Sequence, residues 1–118
     1  MNAHDIAEHA RLLSHRRYAL VVDADADLID EARIAIEEAL TKDGATTGQQ
    51  LWQLILRRPW AEVRKRMLDD GPEGRLLRSN SPFSTLIGVR DPEERTRLWQ
   101  QAKRELSDLK ISSERSAA

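Results

Sequence analysis

The stretch DLIDEARIAIEEALTKDG, residues 27 to 44, constrains the fold most, because its apolar side chains return at the period of an α-helix. Leu28, Ala32, Ala35, Ile36 and Ala39 make one continuous face that has to be covered by other elements. Asp27 stands at the N-cap position with Asp30 at N3, where a carboxylate complements the positive end of the helix dipole. Lys42 followed by Gly44 supplies the stop. Ile34 lies off the apolar face, among Glu31, Glu37 and Glu38.

The rest of the chain repeats this pattern in shorter pieces. Asn2 caps a first helix with Asp5 at N3, and Ile6, Ala10, Leu13 and Leu20 follow on one stripe. Arg17 interrupts that stripe, so two readings stay open: the helix runs on with Arg17 snorkelling or paired, or YALVV is a short strand. Thr47-Gly48-Gln49-Gln50 fits a capping box and opens a helix with Leu51, Leu54 and Ile55 facing inward. Arg58-Pro59 breaks it, since proline disfavours helical geometry in the residue before it. Pro59 suits the first turn of the next helix, in which Trp60, Val63 and Met67 form the buried stripe and Gly71 marks the end.

Beyond Gly71, two short apolar runs flank Ser79-Asn80-Ser81-Pro82. They read as a β-hairpin near residues 75–89, or as a short helix beginning at Ser81-Pro82. Asp91-Pro92-Glu93-Glu94 starts a last helix with Leu98, Ala102, Leu106 and Leu109 on a narrow stripe and Trp99 beside it. The expected fold class is therefore mainly α, about five helices with one short hairpin. A single domain is expected over residues 1–111, followed by a mobile tail at 112–118.

Composition narrows the function classes. The longest apolar run, YALVV, is too short to span a bilayer, and no apolar segment of a signal peptide opens the chain, so the expectation is a cytoplasmic protein off the membrane. The absence of cysteine removes disulfides, thiolate metal sites and thiol nucleophiles. His4, His9 and His15 lack the i,i+4 spacing of a helix-borne metal pair, and Ser79, Ser81 and Ser84 have no histidine near them in sequence. LVVDADADL is similar to the first motif of haloacid-dehalogenase-like phosphatases, with Asp23 as nucleophile and Asp25 as acid/base, but that chemistry needs a parallel sheet with no counterpart here. An EF-hand loop from Asp23 would need glycine where Leu28 stands and glutamate where Ile34 stands. Turn and capping duty is left for these aspartates. No catalytic residue, metal or cofactor is expected. The three tryptophans, Trp52, Trp60 and Trp99, suit a core, though Trp52 flanks its stripe and could anchor a partner.

Charge is unevenly distributed. Residues 1–50 carry a net −5 and residues 51–118 a net +4, an asymmetry that fits a polyanion, a charged partner, or attraction between the halves. From residue 27 onward the element order resembles a winged helix-turn-helix domain. That resemblance implies DNA binding by a small transcription regulator, with the third of these helices in the major groove and the hairpin on the flanking backbone. It places Arg58, Ala61, Glu62 and Lys65 near the bases, with Arg57 and Arg64 adding positive charge, and Arg75, Arg78 and Arg90 at the wing. A homodimer through the Leu98, Trp99 and Leu106 helix would complete the regulator. Against it stands a mixed outward face, where Glu62 sits beside Lys65 and pairs with Arg66 at i,i+4. The other reading is a protein-interaction module or inhibitor that sets the acidic helix, with Ile34 and Glu37, against a basic partner.

Overall fold

A computed structural model describes residues 2–117, with side chains as far as residue 112. Among the described residues seven helices follow one another: α1 (Ala3–Ala24), α2 (Asp27–Leu40), α3 (Thr47–Ile55), α4 (Trp60–Met67), α5 (Pro72–Ser79), α6 (Pro82–Ile87) and α7 (Pro92–Ala117). Among the described residues there is no strand. The chain divides into two compact units, Ser14–Gly88 and the two ends, Met1–Leu13 with Val89–Ala118.

α1 begins where Asn2 accepts the amide of Asp5 at 2.9 Å, and it does not stop at YALVV. Tyr18, Ala19 and Val22 are buried in the Ser14–Gly88 unit at helical spacing, which excludes the strand reading. The buried side is not the one that the stripe from Ile6 predicts: Leu20 is 63% exposed and Arg17 is exposed with it. The conflict over Arg17 disappears, because it never enters the core.

α2 keeps its predicted face, with Leu28, Ala32 and Ile36 buried. Its start differs by one residue. Asp27 is already helical, Ala26 stands at the N-cap position without a side-chain cap, and Asp25, just outside the helix, accepts the Asp27 amide at 3.2 Å. Gly44 closes the following turn at φ 84°, a backbone state that side-chain-bearing residues seldom adopt.

The α3 capping box is real but sits one residue earlier than expected. Thr46 Oγ1 accepts from Gln49 N at 3.0 Å, and Gln49 Oε1 accepts from Thr46 N at 2.9 Å. A box of this kind contributes about 1 kcal/mol. The inward face differs too: Trp52 and Ile55 are buried and Leu54 points to solvent. Trp52 is fully enclosed, not an anchor for a partner. Its Nε1 donates to the Leu77 carbonyl at 2.8 Å, and its ring meets Phe83 edge-on at 5.7 Å. Gly48 allows this packing, since a Cβ there would stand 2.2 Å from the Asn80 amide nitrogen.

α4 follows a bend at Leu56–Pro59, with Pro59 as the residue before the helix and Val63 and Met67 on the buried side. The hairpin expected near 75–89 is not formed. Gly71-Pro72 and Ser81-Pro82 each start a helix, the second with Ser81 Oγ accepting the Phe83 amide at 3.2 Å. Leu77 from α5 and Phe83 from α6 are wholly buried, so both segments gain more as helices in the core than as a solvent-facing ribbon. α2 packs on α3 and α6, and α5 on α3 and α4.

In the other unit, Ile6 and Leu13 of α1 are buried with Ala102 of α7, flanked by Ala10, Leu98 and Leu106. His9 Nε2 and Glu105 Oε2 meet across this pair of helices at 2.8 Å. Asp91 accepts the Glu93 amide at 3.2 Å, as its N-cap position predicts. α7 continues through the segment expected as a tail to Ala117, and Ala118 lies outside the described residues. No helix among the described residues is long and apolar enough to cross a membrane.

Candidate functional site

The basic residues of the corner and the presumed wing are dispersed among different tasks. Arg58 Nε lies 2.8 Å from Glu62 Oε2, one turn along the chain. Arg64 Nε reaches Asp23 Oδ2 at 3.3 Å, while the other oxygen of that carboxylate accepts Trp60 Nε1 at 2.7 Å. Asp23 thus joins the end of α1 to the start of α4, a role that its place in an Asp-rich turn did not suggest. Arg66 pairs with Glu73 of α5, its Nε 2.6 Å from Oε1.

Arg78 corrects the wing assignment outright. It is only 3% exposed, and Nη1 donates to the carbonyls of Met67 at 3.0 Å and Asp69 at 2.6 Å. Those carbonyls lie at and just beyond the end of α4, where a helix leaves acceptors without intrahelical donors. Arg78 is a cap supplied from the neighbouring helix, and no phosphate reaches it. Arg57, Lys65 and Arg75 remain exposed, and among the described residues none has a carboxylate within ion-pair distance. Ala61 is exposed and Glu62 half-buried between its two arginines. Arg90 is exposed.

The residues expected to hold a second copy are partly occupied. Leu98 and Leu106 are half-buried against the α1 side chains of their own unit, while Trp99 and Leu109 stay exposed.

α2 presents an exposed acidic face. Ile34, 59% exposed, points directly away from the Leu28/Ala32/Ile36 stripe. Asp27, Asp30, Glu31, Glu37 and Glu38 surround it, all exposed. Arg33 is the only cation of this helix, and it is turned aside: Nε donates to the Leu56 carbonyl at 2.9 Å and Nη1 to Asp30 at 2.9 Å. Glu37 accepts Gln53 Nε2 at 3.3 Å, which holds it at the border with α3. A shallow cavity of about 220 Å³ opens at that border, with Arg33, Ile36, Glu37, Gln53, Leu56 and Arg57 around it.

Sequence reasoning found Ile34 and Glu37 because α2 has an unbroken apolar face against which an outlier shows. It missed a second exposed face on α1, made of Arg16, Arg17, Leu20 and Val21. The Arg16-Arg17 pair was the available signal, since two adjacent guanidiniums cannot both point into a core. Among the described residues no group of three or more His, Asp or Glu side chains is placed to hold a metal ion. Family models, curated proteins and solved structures offer no match to this chain.

Proposed function

We propose that the chain is a non-enzymatic protein-interaction module that docks the outer face of α2 onto a basic surface of a protein partner. One observation carries this reading: a large aliphatic side chain stands exposed at the centre of five exposed carboxylates, and the one cation of the helix, bonded to the Leu56 carbonyl, pairs with only one of them, Asp30. An apolar anchor within a single-sign rim has the anatomy of a docking site, with the rim steering the encounter and the anchor holding the complex. Burying Ile34 in a partner pocket contributes about 1.5 to 3 kcal/mol, or roughly tenfold to a hundredfold in affinity.

A second reading, DNA binding through Arg57, Lys65 and Arg75, is favoured by the exposure of these three cations and by nothing else around the corner. Arg58, Arg64 and Arg66 already face carboxylates, and Arg78 is inside.

The test isolates the tagged protein from its native host and measures binding of the recovered, purified partner by titration calorimetry. Ile34→Asp and Glu38→Lys are expected to weaken that complex at least about tenfold, and Lys65→Glu to leave it unchanged. Fluorescence anisotropy with random duplex DNA forms the other arm. Micromolar retention of DNA in about 50 mM salt, lost in Lys65→Glu and untouched by Ile34→Asp, would overturn the proposal.

A further inference from the structure

The Ser14–Gly88 unit carries a second exposed face whose character is opposite to that of α2. On the last turns of α1, Leu20 (63% exposed) and Val21 (45%) sit on the solvent side with Arg16 and Arg17, while Tyr18, Ala19 and Val22 turn to the core. Two large aliphatic side chains side by side with two exposed arginines form an apolar knob with a basic edge on its N-terminal side; Asp23, beyond its other side, is engaged by Arg64 and Trp60. On α2, Ile34 with its carboxylates forms an apolar knob with an acidic rim.

The spacings of the two faces also match. Arg16 and Arg17 precede Leu20 by four and three residues, one helical turn. Asp30 and Glu31 precede Ile34 by four and three residues, and Glu37 and Glu38 follow it by three and four. Laid knob to knob, the arginine pair therefore meets a carboxylate pair whether the two helices run parallel or antiparallel. Each contact would bury the aliphatic side chains while leaving the charges at the rim, where they set partner choice.

The geometry points to self-association: the basic-apolar face of α1 in one copy docks on the acidic-apolar face of α2 in a second copy. This rests on the reading of α2 as a docking surface and names its occupant. The surfaces involved differ from the Leu98/Leu106 seam expected from sequence, which is engaged within its own unit.

Charge exchange between two variants tests this. Arg16→Glu/Arg17→Glu makes both faces acidic, and Asp30→Lys/Glu31→Lys/Glu37→Lys/Glu38→Lys makes both basic in the turns flanking Ile34; all six positions are exposed. Sedimentation velocity of the full chain over roughly 1 to 500 μM is expected to show concentration-dependent association of the wild type, reversed in about 1 M salt. Each variant alone is expected to be monomeric. An equimolar mixture is expected to regain association, because acidic α1 then meets basic α2 while the native pairing is kept in the other direction. Leu20→Ser provides a charge-neutral variant, expected to weaken association at least about tenfold without loss of helical circular dichroism. A wild type that stays monomeric throughout, variants that associate as well as the wild type, or a mixture that stays monomeric would each overturn the inference. Loss of self-association with an intact α2-dependent complex with another protein would leave the reading of α2 standing and remove only its proposed occupant.

Discussion

Replacing Arg78 with methionine keeps most of the aliphatic stem and removes the guanidinium that holds the end of α4. Two hydrogen bonds from a charged donor are lost, to the carbonyls of Met67 and Asp69, each worth about 1.5 to 3 kcal/mol. Apolar burial of the methionine returns roughly 1 kcal/mol. The net cost is about 3 kcal/mol, which for a unit of this size lowers Tm by roughly 12 to 24 °C. Thermal melts followed by far-ultraviolet circular dichroism measure it directly. Arg78→Lys is expected to recover less than half of the loss, because an ammonium lacks the planar fork. A Tm within about 3 °C of the wild type is what a surface arginine would give. That result would return Arg78 to solvent and refute its assignment as a cap.

Three further substitutions probe the same core. Trp52→Phe removes the bond to the Leu77 carbonyl and leaves a void of roughly 40 Å³, together about 2 kcal/mol. Urea denaturation is expected to show that loss, and the remaining emission of half-buried Trp60 and exposed Trp99 to lie further to the red; a change below about 0.5 kcal/mol would place the indole outside the core. Gly74→Ala puts a methyl group 2.0 Å from the backbone oxygen of Asp69, and the movement this forces is expected to outweigh the helix-propensity gain of about 1 kcal/mol. In Gly48→Ala the clash is with the Asn80 side chain, whose amide can turn away at the loss of its bonds to Thr46 and Leu76 and whose Cβ, 2.8 Å off, has less far to move than a backbone oxygen at 2.0 Å, so unfolding titrations are expected to rank Gly74→Ala as the more damaging; the reverse order would contradict the close approach at Asp69.

Helix existence was legible wherever apolar residues recurred over three turns, as in α2 and the two ends of the chain. Helix starts were less so. Thr46 and Thr47 are chemically equivalent caps, and the inward face of α3 is set by the packing of Trp52 on Leu77 and Phe83, which leaves Leu54 in solvent. The missing hairpin has the same origin: Ser81-Pro82 serves equally as a turn or as a helix start, and what decides is the burial of Leu77 and Phe83, a tertiary fact. Arg78 was unreadable for a stronger reason, because its partners are backbone carbonyls that no side-chain pattern reveals. The exposed face of α1 was lost by extending one stripe from Ile6 to Leu20 along a helix that serves two units. Ile34 was readable because α2 serves one.

The division of α1 between two units has a consequence for the order of events during synthesis. Residues 14–88 are continuous in the chain, so every partner of the Trp52 core has left the ribosome soon after Phe83 and Ile87 do. Ile6, Ala10 and Leu13 emerge before this unit and are covered only after it, once Leu98, Ala102 and Leu106 have been made. Throughout the synthesis of the 14–88 unit the leading turns of α1 therefore carry an uncovered apolar stripe. Closing His9 onto Glu105, 96 residues away, costs loop entropy that increases only with the logarithm of the separation. The early interval of exposure, more than the closure itself, makes these turns the segment most open to capture by a chaperone.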